Sequence, residues 1–227
     1  MPAFNEETNV GRALSANVQS LDETGLDWEI VVVNDGSSDR TGEIAAEWAQ
    51  SDPRVRVVAH TANRGQGAAI RTGICEARGE YVILSPCDSP FGEGELDPFV
   101  AQLGKADIVV GHRANRPGYS WLMRFNSRIY PFVVNTLFRM RLRDFNWIQM
   151  YRRSVVSQLQ WRQTRIFWTA ELLIRARDAG CSIVEVPAAI HARESGQGTA
   201  GRPSIIIQTG LDCLRFAWCY WLAGGRH

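Results

Sequence analysis

No apolar run in the 227-residue chain approaches the ~20 residues that a membrane-spanning helix needs, and no charged-then-apolar leader opens it. The chain is therefore expected not to cross a membrane. A surplus of one charge is missing too: 25 Lys and Arg stand against 24 Asp and Glu, a formal charge of +1. That balance argues against a nucleic-acid binder, and any phosphate must be met by local charge. Cysteine is scarce and unpatterned. Cys75, Cys87, Cys181, Cys213 and Cys219 are odd in number and lack Cys-x-x-Cys spacing, which argues against a disulfide framework or a structural zinc site and suits a reducing, cytoplasmic setting. Internal repeats and low-complexity segments are lacking. So is a first strand: Met1-Pro2-Ala3-Phe4-Asn5-Glu6-Glu7 reads as a strand exit and helix entry, so the opening strand is expected to be missing or truncated.

What is present is a chain of 45% hydrophobic residues, enough to bury one substantial core. The spacing of Val10, Leu14, Val18 and Leu21 predicts a helix over 5–20, and the β-branched run over 28–33 a buried strand. Helices are expected over 41–50, 68–77, 96–103, 121–141 and 171–179, and strands over 54–59, 79–84, 107–111, 146–151 and 182–186. This alternation implies an α/β fold with a mostly parallel central sheet and ligands at the carboxyl ends of its strands. One domain is expected over 1–203, followed by an amphipathic C-terminal helix over 204–227.

The loops after the strands hold Asp35, Arg64 and Asp88. A nucleoside diphosphate sugar needs hydrogen-bond partners for base and ribose, positive charge for its pyrophosphate, and stabilisation of the leaving group. Asp35 is a candidate acceptor for a base or ribose hydroxyl, although Asp-Gly-Ser alone is more often an Asx-turn. Arg64-Gly65-Gln66-Gly67, opening a helix, couples a cation to backbone amides that can approach an anion. Asp88 is a candidate ligand for a divalent cation, Mg2+ or Mn2+, bridging two phosphates.

Motifs in this order resemble glycosyltransferase family 2, and within it the dolichyl or polyprenyl phosphate sugar synthases. Pro2-Ala3-Phe4-Asn5-Glu6, Val32-Val33-Asn34-Asp35-Gly36-Ser37, Asn63-Arg64-Gly65-Gln66-Gly67-Ala68-Ala69 and Gly111-His112-Arg113 carry the likeness. Glu171-Leu172-Leu173, Glu185-Val186-Pro187 and His191-Ala192-Arg193-Glu194-Ser195-Gly196 extend it. The resemblance implies a Rossmann-like nucleotide-binding fold of the GT-A type and an inverting transfer of a hexose from a GDP- or UDP-sugar. By position, Pro2, Phe4, Asn5, Glu6 and Asp35 would surround the nucleoside. Arg113, Arg124 and Arg193, with Arg64, Gly65 and His191, would meet the pyrophosphate or an acceptor phosphate. Asp88, Arg113 and Arg193 are the catalytic candidates.

Two departures stand out. The family's metal motif carries two aspartates and a glutamine, where this chain has Leu84-Ser85-Pro86-Cys87-Asp88-Ser89-Pro90 and only Asp88 remains. Glu93 and Glu95 lie close by in sequence. At Thr169-Ala170-Glu171, the Asp that often precedes Ala-Glu is missing. A hydroxyl acceptor needs a base, whereas a lipid phosphate is already an anion, so this loss favours a phosphate acceptor. Asp144 is the candidate base if the acceptor is a hydroxyl in cell-wall assembly. The apolar and basic stretches 121–141 and 204–222 suit a peripheral contact with the cytoplasmic face of a membrane, or else cover the sheet as ordinary helices. A non-catalytic nucleotide-sugar binder with an eroded metal site is the third reading.

Overall fold

The computed structural model describes residues 1–113, 121–161, 166–188, 203–222 and 224, with backbone only over 121–126 and 203–206. Strands and helices alternate through most of the chain. β1 (Pro2–Ala3) leads to α1 (Val10–Glu23), β2 (Ile30–Asn34), α2 (Thr41–Ser51), β3 (Val55–Ala59), α3 (Gln66–Glu76) and β4 (Tyr81–Ile83). Then come α4 (Asp97–Val100), β5 (Ile108–Arg113), α5 (Trp121–Phe138), β6 (Gln149–Arg152), α6 (Arg153–Val156), α7 (Trp168–Asp178), β7 (Ile183–Ala188) and α8 (Pro203–Leu222).

The strands form two sheets, β1-β2-β3 and β4-β6-β5-β7. The first is wholly parallel, with Val31 opposite Arg56 and Pro2 opposite Val33. The second is mixed: β5 and β7 run parallel, and β6 runs antiparallel to both β4 and β5. The truncated first strand of the sequence reading corresponds to the two-residue β1, which Met1 prolongs by accepting a hydrogen bond from Val33 N–H at 2.9 Å.

Burial explains the patterns. β2 is a continuous apolar run because helices cover both its faces: Val32 packs with Val10, Leu14 and Ala45, and Val33 with Ala69. The second sheet anchors a larger core in which Ile108, Val110 and Tyr151 meet Val134, Phe138, Phe167, Leu172 and Phe216 from α5, α7 and α8 and the residues leading into α7. Gly36, at the exit from β2, has φ +71°, and a Cβ there would lie 2.5 Å from the Ala62 carbonyl carbon. Only glycine lets the β2–α2 and β3–α3 loops approach this closely.

Candidate active site

The site is built where β1, β2, β3 and β4 end. Asn5, with φ +54°, turns the chain out of β1. Its side-chain oxygen accepts from Ser38 N–H at 2.9 Å while its own amide donates to Ser37 Oγ at 3.0 Å. Glu6 N–H donates to Thr41 Oγ1 at 2.7 Å, and Glu7 N–H to Asp39 Oδ2 at 3.1 Å. The β1–α1 and β2–α2 loops are thus joined by reciprocal side-chain to backbone bonds that satisfy amides no helix or sheet would. Phe4 projects beside them, 45% exposed.

Asp35 is buried, and its carboxylate is occupied by the protein. Oδ1 lies 2.6 Å from His60 Nδ1 and accepts from Arg64 N–H at 3.0 Å; Oδ2 accepts from Gly65 N–H at 2.9 Å. His60 Nε2 in turn meets Thr72 Oγ1 at 2.9 Å. Asp35 therefore holds the β3–α3 loop to β2, which is where the structure departs from a carboxylate open to a base or ribose. Gly65 caps α3 at φ +89°, and the exposed Arg64 side chain makes no hydrogen bond or ion pair among the described residues. A cation thus stands unneutralised at the N-terminus of an 11-residue helix, the arrangement that attracts an anion.

The loop that carries Asp88 is stitched down by α1. Buried Asn17 accepts from Ser85 Oγ at 2.9 Å and from Phe91 N–H at 3.1 Å, and buried Ser20 donates to the Phe91 and Gly92 carbonyls. Cys87 points inward, its thiol 3.4 Å from the Pro2 carbonyl oxygen. Burial pushes that thiol up to about 12, with the carboxylates of Glu6 and Asp88 adding to the rise. The half-buried Asp88 directly follows Cys87, whose thiol lies against β1. Glu95 instead accepts from Gly92 N–H at 2.7 Å, closing a turn, and Glu93 is exposed. Among the described residues no three His, Cys, Asp or Glu side chains group closely enough to hold a metal ion. That donor set fits a hard cation that arrives with the diphosphate better than one held by the protein alone.

Arg113, at the end of β5, donates from Nε and Nη2 to the Asp144 carboxylate at 2.6 and 2.9 Å and lies over the Trp147 ring at 5.1 Å. Asp144 also accepts from Asn146 N–H at 3.0 Å, and Asn146 takes the Thr169 hydroxyl at 2.6 Å. The charges are therefore matched inside the fold: Arg113 and Asp144 side chains are 14% and 3% exposed. His191 and Arg193 lie outside the described residues, as does the side chain of Arg124. Sequence reasoning missed the tethers Asn17, Ser20 and His60. The polar residues Asn17 and Ser20 on the otherwise apolar face of α1 were the available signal.

The model of glycosyl transferase family 2 matches residues 1–176. The chain belongs to this family. It is thereby a glycosyltransferase of an inverting family. It is 33% identical over 246 residues to dolichyl-phosphate beta-glucosyltransferase ALG5C of Trichomonas vaginalis, covering 99% of this chain and 71% of that protein. It is 30% identical over 209 residues to undecaprenyl-phosphate 4-deoxy-4-formamido-L-arabinose transferase of Edwardsiella ictaluri, covering 91% and 63%. Among solved structures, glucosyl-3-phosphoglycerate synthase of Mycobacterium tuberculosis in complex with Mn2+, UDP and phosphoglyceric acid superposes with a TM-score of 0.75 at 18% identity, covering 95% of this chain and 76% of that one. At that identity the likeness concerns the fold, which is GT-A.

α8 is apolar on two sides. Cys213, Phe216, Ala217 and Tyr220 face the core, with Phe216 5.4 Å from both Phe138 and Phe167. Ile207, Leu211, Leu214, Trp218, Trp221 and Leu222 face outward, with Trp218 70% exposed. Their spacing of three and four residues makes a continuous stripe along the helix. No helix among the described residues is long and apolar enough to cross a membrane.

Proposed function

We propose that the protein transfers a hexose from a nucleoside diphosphate sugar to a polyprenyl phosphate with inversion at the anomeric carbon. One oxygen of the acceptor phosphate attacks that carbon; as the new C–O bond forms, the bond to the diphosphate breaks and its electron pair leaves with the nucleoside diphosphate. The attacking phosphate is already anionic, so the step needs no general base. The observation that carries this reading is the state of Asp144. Its oxygens are engaged by Arg113 and by Asn146 N–H, and Thr169 stands where a carboxylate would precede Ala170-Glu171. The names of the relatives, which include a dodecaprenyl-phosphate galacturonate synthase of Rhizobium johnstonii 28% identical over 209 residues, 88% of this chain and 60% of that protein, support the same acceptor class.

In this reading the loops at the ends of β1 and β2 frame the nucleoside, with Pro2, Phe4, Asn5 and Glu6 on its border and Asp35 as the tether that sets loop 60–65. Arg64, the Gly65 turn and the N-terminus of α3 take the diphosphate, together with Arg124, His191 and Arg193. Arg113 serves a phosphate only as a shared cation, because two of its N–H groups are on Asp144. Asp88 would hold a divalent cation with two phosphate oxygens and water, and such an ion supplies charge that stabilises the leaving diphosphate. The outward stripe of α8 and exposed Phe132 of α5 would lie at a bilayer surface, bringing the site to a lipid-linked acceptor.

Incubation with radiolabelled UDP- or GDP-sugar and undecaprenyl phosphate, followed by extraction into organic solvent, tests the reading. Label is expected in the organic phase with Mg2+ or Mn2+; label that remains aqueous with every donor would overturn the lipid acceptor. Pro86 and Pro90, which flank Asp88, favour a second reading, a nucleotide-sugar binder without turnover. Binding of UDP or GDP with no hydrolysis or transfer in Mg2+, Mn2+ or chelator would select it.

A further inference from the structure

Loop 60–65, which carries Arg64, is pinned to β2 at both ends and in its middle. His60 N–H donates to the Asn34 carbonyl and Gly65 N–H to Asp35 Oδ2, both at 2.9 Å, and the Ala62 backbone lies close against Gly36. The His60 side chain adds a tie in another direction. It is 6% exposed and engages both ring nitrogens, Nδ1 with Asp35 Oδ1 at 2.6 Å and Nε2 with Thr72 Oγ1 at 2.9 Å. An ionised carboxylate can only accept, which assigns a proton to Nδ1; the Thr72 hydroxyl donates or accepts, so the chain is complete whether Nε2 is bare or protonated. Thr72 lies in the body of α3, two turns from its start. One imidazole therefore fixes that helix to the end of β2, while the exposed Arg64 side chain stays outside the network. Charge matters as well. Asp35 sets a buried negative charge on the amides just ahead of α3, where the helix would otherwise draw an anion, and the His60 N–H is the side-chain donor that offsets it.

We infer, on the reading that this loop takes the donor diphosphate, that His60 is a positioning residue for the donor. By bridging Asp35 and Thr72 it sets loop 60–65 against α3, so that the Arg64 side chain and the N-terminus of the helix meet one diphosphate together. His60 is shut away from solvent and acts through Arg64 rather than by contact. An apolar side chain of similar size would fill the same space, but it would leave Asp35 short of a donor and remove the link from β2 to the body of α3. A cation held in place contributes more to a bound anion than one that must be ordered on binding.

Calorimetric titration of UDP and GDP in Mg2+ tests it on a double-mutant cycle of His60→Leu and Arg64→Ala, with His60→Asn as the conservative variant whose amide can stand where Nδ1 does. His60→Leu is expected to weaken the nucleotide that the wild type binds at least ~10-fold, and His60→Asn to restore it to within ~3-fold. Arg64→Ala is expected to cost ~10-fold alone but no more than ~2-fold on top of His60→Leu, because the two act as one unit. Unchanged affinity in His60→Leu, or losses that multiply in the pair, would overturn the inference, whatever the melting temperature does. Should His60→Leu not fold, Thr72→Val cuts only the far bond: it is expected to weaken binding ~3-fold without adding to Arg64→Ala, and wild-type affinity there would overturn the inference equally. A wild-type chain that binds neither nucleotide would overturn the donor reading, and this inference with it.

Discussion

The two sheets hold their functional loops by different means. In β1-β2-β3 the loops are tied by neutral and charge-assisted bonds to backbone amides: Asp35 to Arg64 and Gly65, and Asn5 to Ser38. In β4-β6-β5-β7 the corresponding edge is held by an ion pair, Arg113 with Asp144, backed by Trp147. Amide tethers fix the path of the backbone. An ion pair instead fixes two charges against each other, and removing one partner leaves the other buried and uncompensated.

The strongest way to break that comparison is Arg113→Ala, which strands Asp144 as a buried charge. We expect a loss of about 3 kcal/mol in urea unfolding, with Arg113→Lys recovering only part. A near-zero change would mean that the pair contributes little to holding this edge. Next comes Asp88→Ala, expected to lower transfer at least ~100-fold; retained turnover would show that transfer here does not use a cation at Asp88.

The Met1 ammonium sharpens the comparison from the side of the first sheet. Burial lowers it from 8.0 to about 6. A base depressed in the folded state binds fewer protons than in the unfolded chain, so this group is neutral towards folding above pH 8 and opposes it progressively as pH falls towards 6. The chain beginning at Met1 should therefore lose stability across that window relative to an N-acetylated chain. Parallel pH profiles for the two would contradict the buried ammonium. The smallest effect is expected at the outward stripe: Trp218→Ser should leave stability within about 0.5 kcal/mol and weaken binding to anionic vesicles about tenfold.

Much of the architecture was legible because β-branched runs and helical spacing are local. β2 and α2 lie within two residues of their expected bounds, since Val31 to Val33 have no helical alternative and Gly36 and Ser37 stop them. The direction of β6 was not legible. The helix-strand rhythm implied a parallel neighbour, but the connection from β5 through α5 brings the chain into β6 running the other way. Within the site, residue types pointed to the right loops but not to their partners. Asp35 reads as a ligand group until His60 and two amides, 25 to 30 residues away, are seen to take its oxygens. The helical spacing of α8 likewise predicted one apolar face, whereas the packed helix has a second, facing outward.

The central claim, that Asp88 and the loop around Arg64 receive the diphosphate of an activated sugar, is most directly tested by titrating UDP and GDP calorimetrically against the wild-type chain and Asp88→Ala, with Mg2+ and with chelator. The account predicts that at least one nucleotide binds the wild type with Mg2+ and weakens at least ~10-fold both on chelation and in the variant. Equal affinity under all four conditions, or no binding of either nucleotide to the wild type, would contradict it.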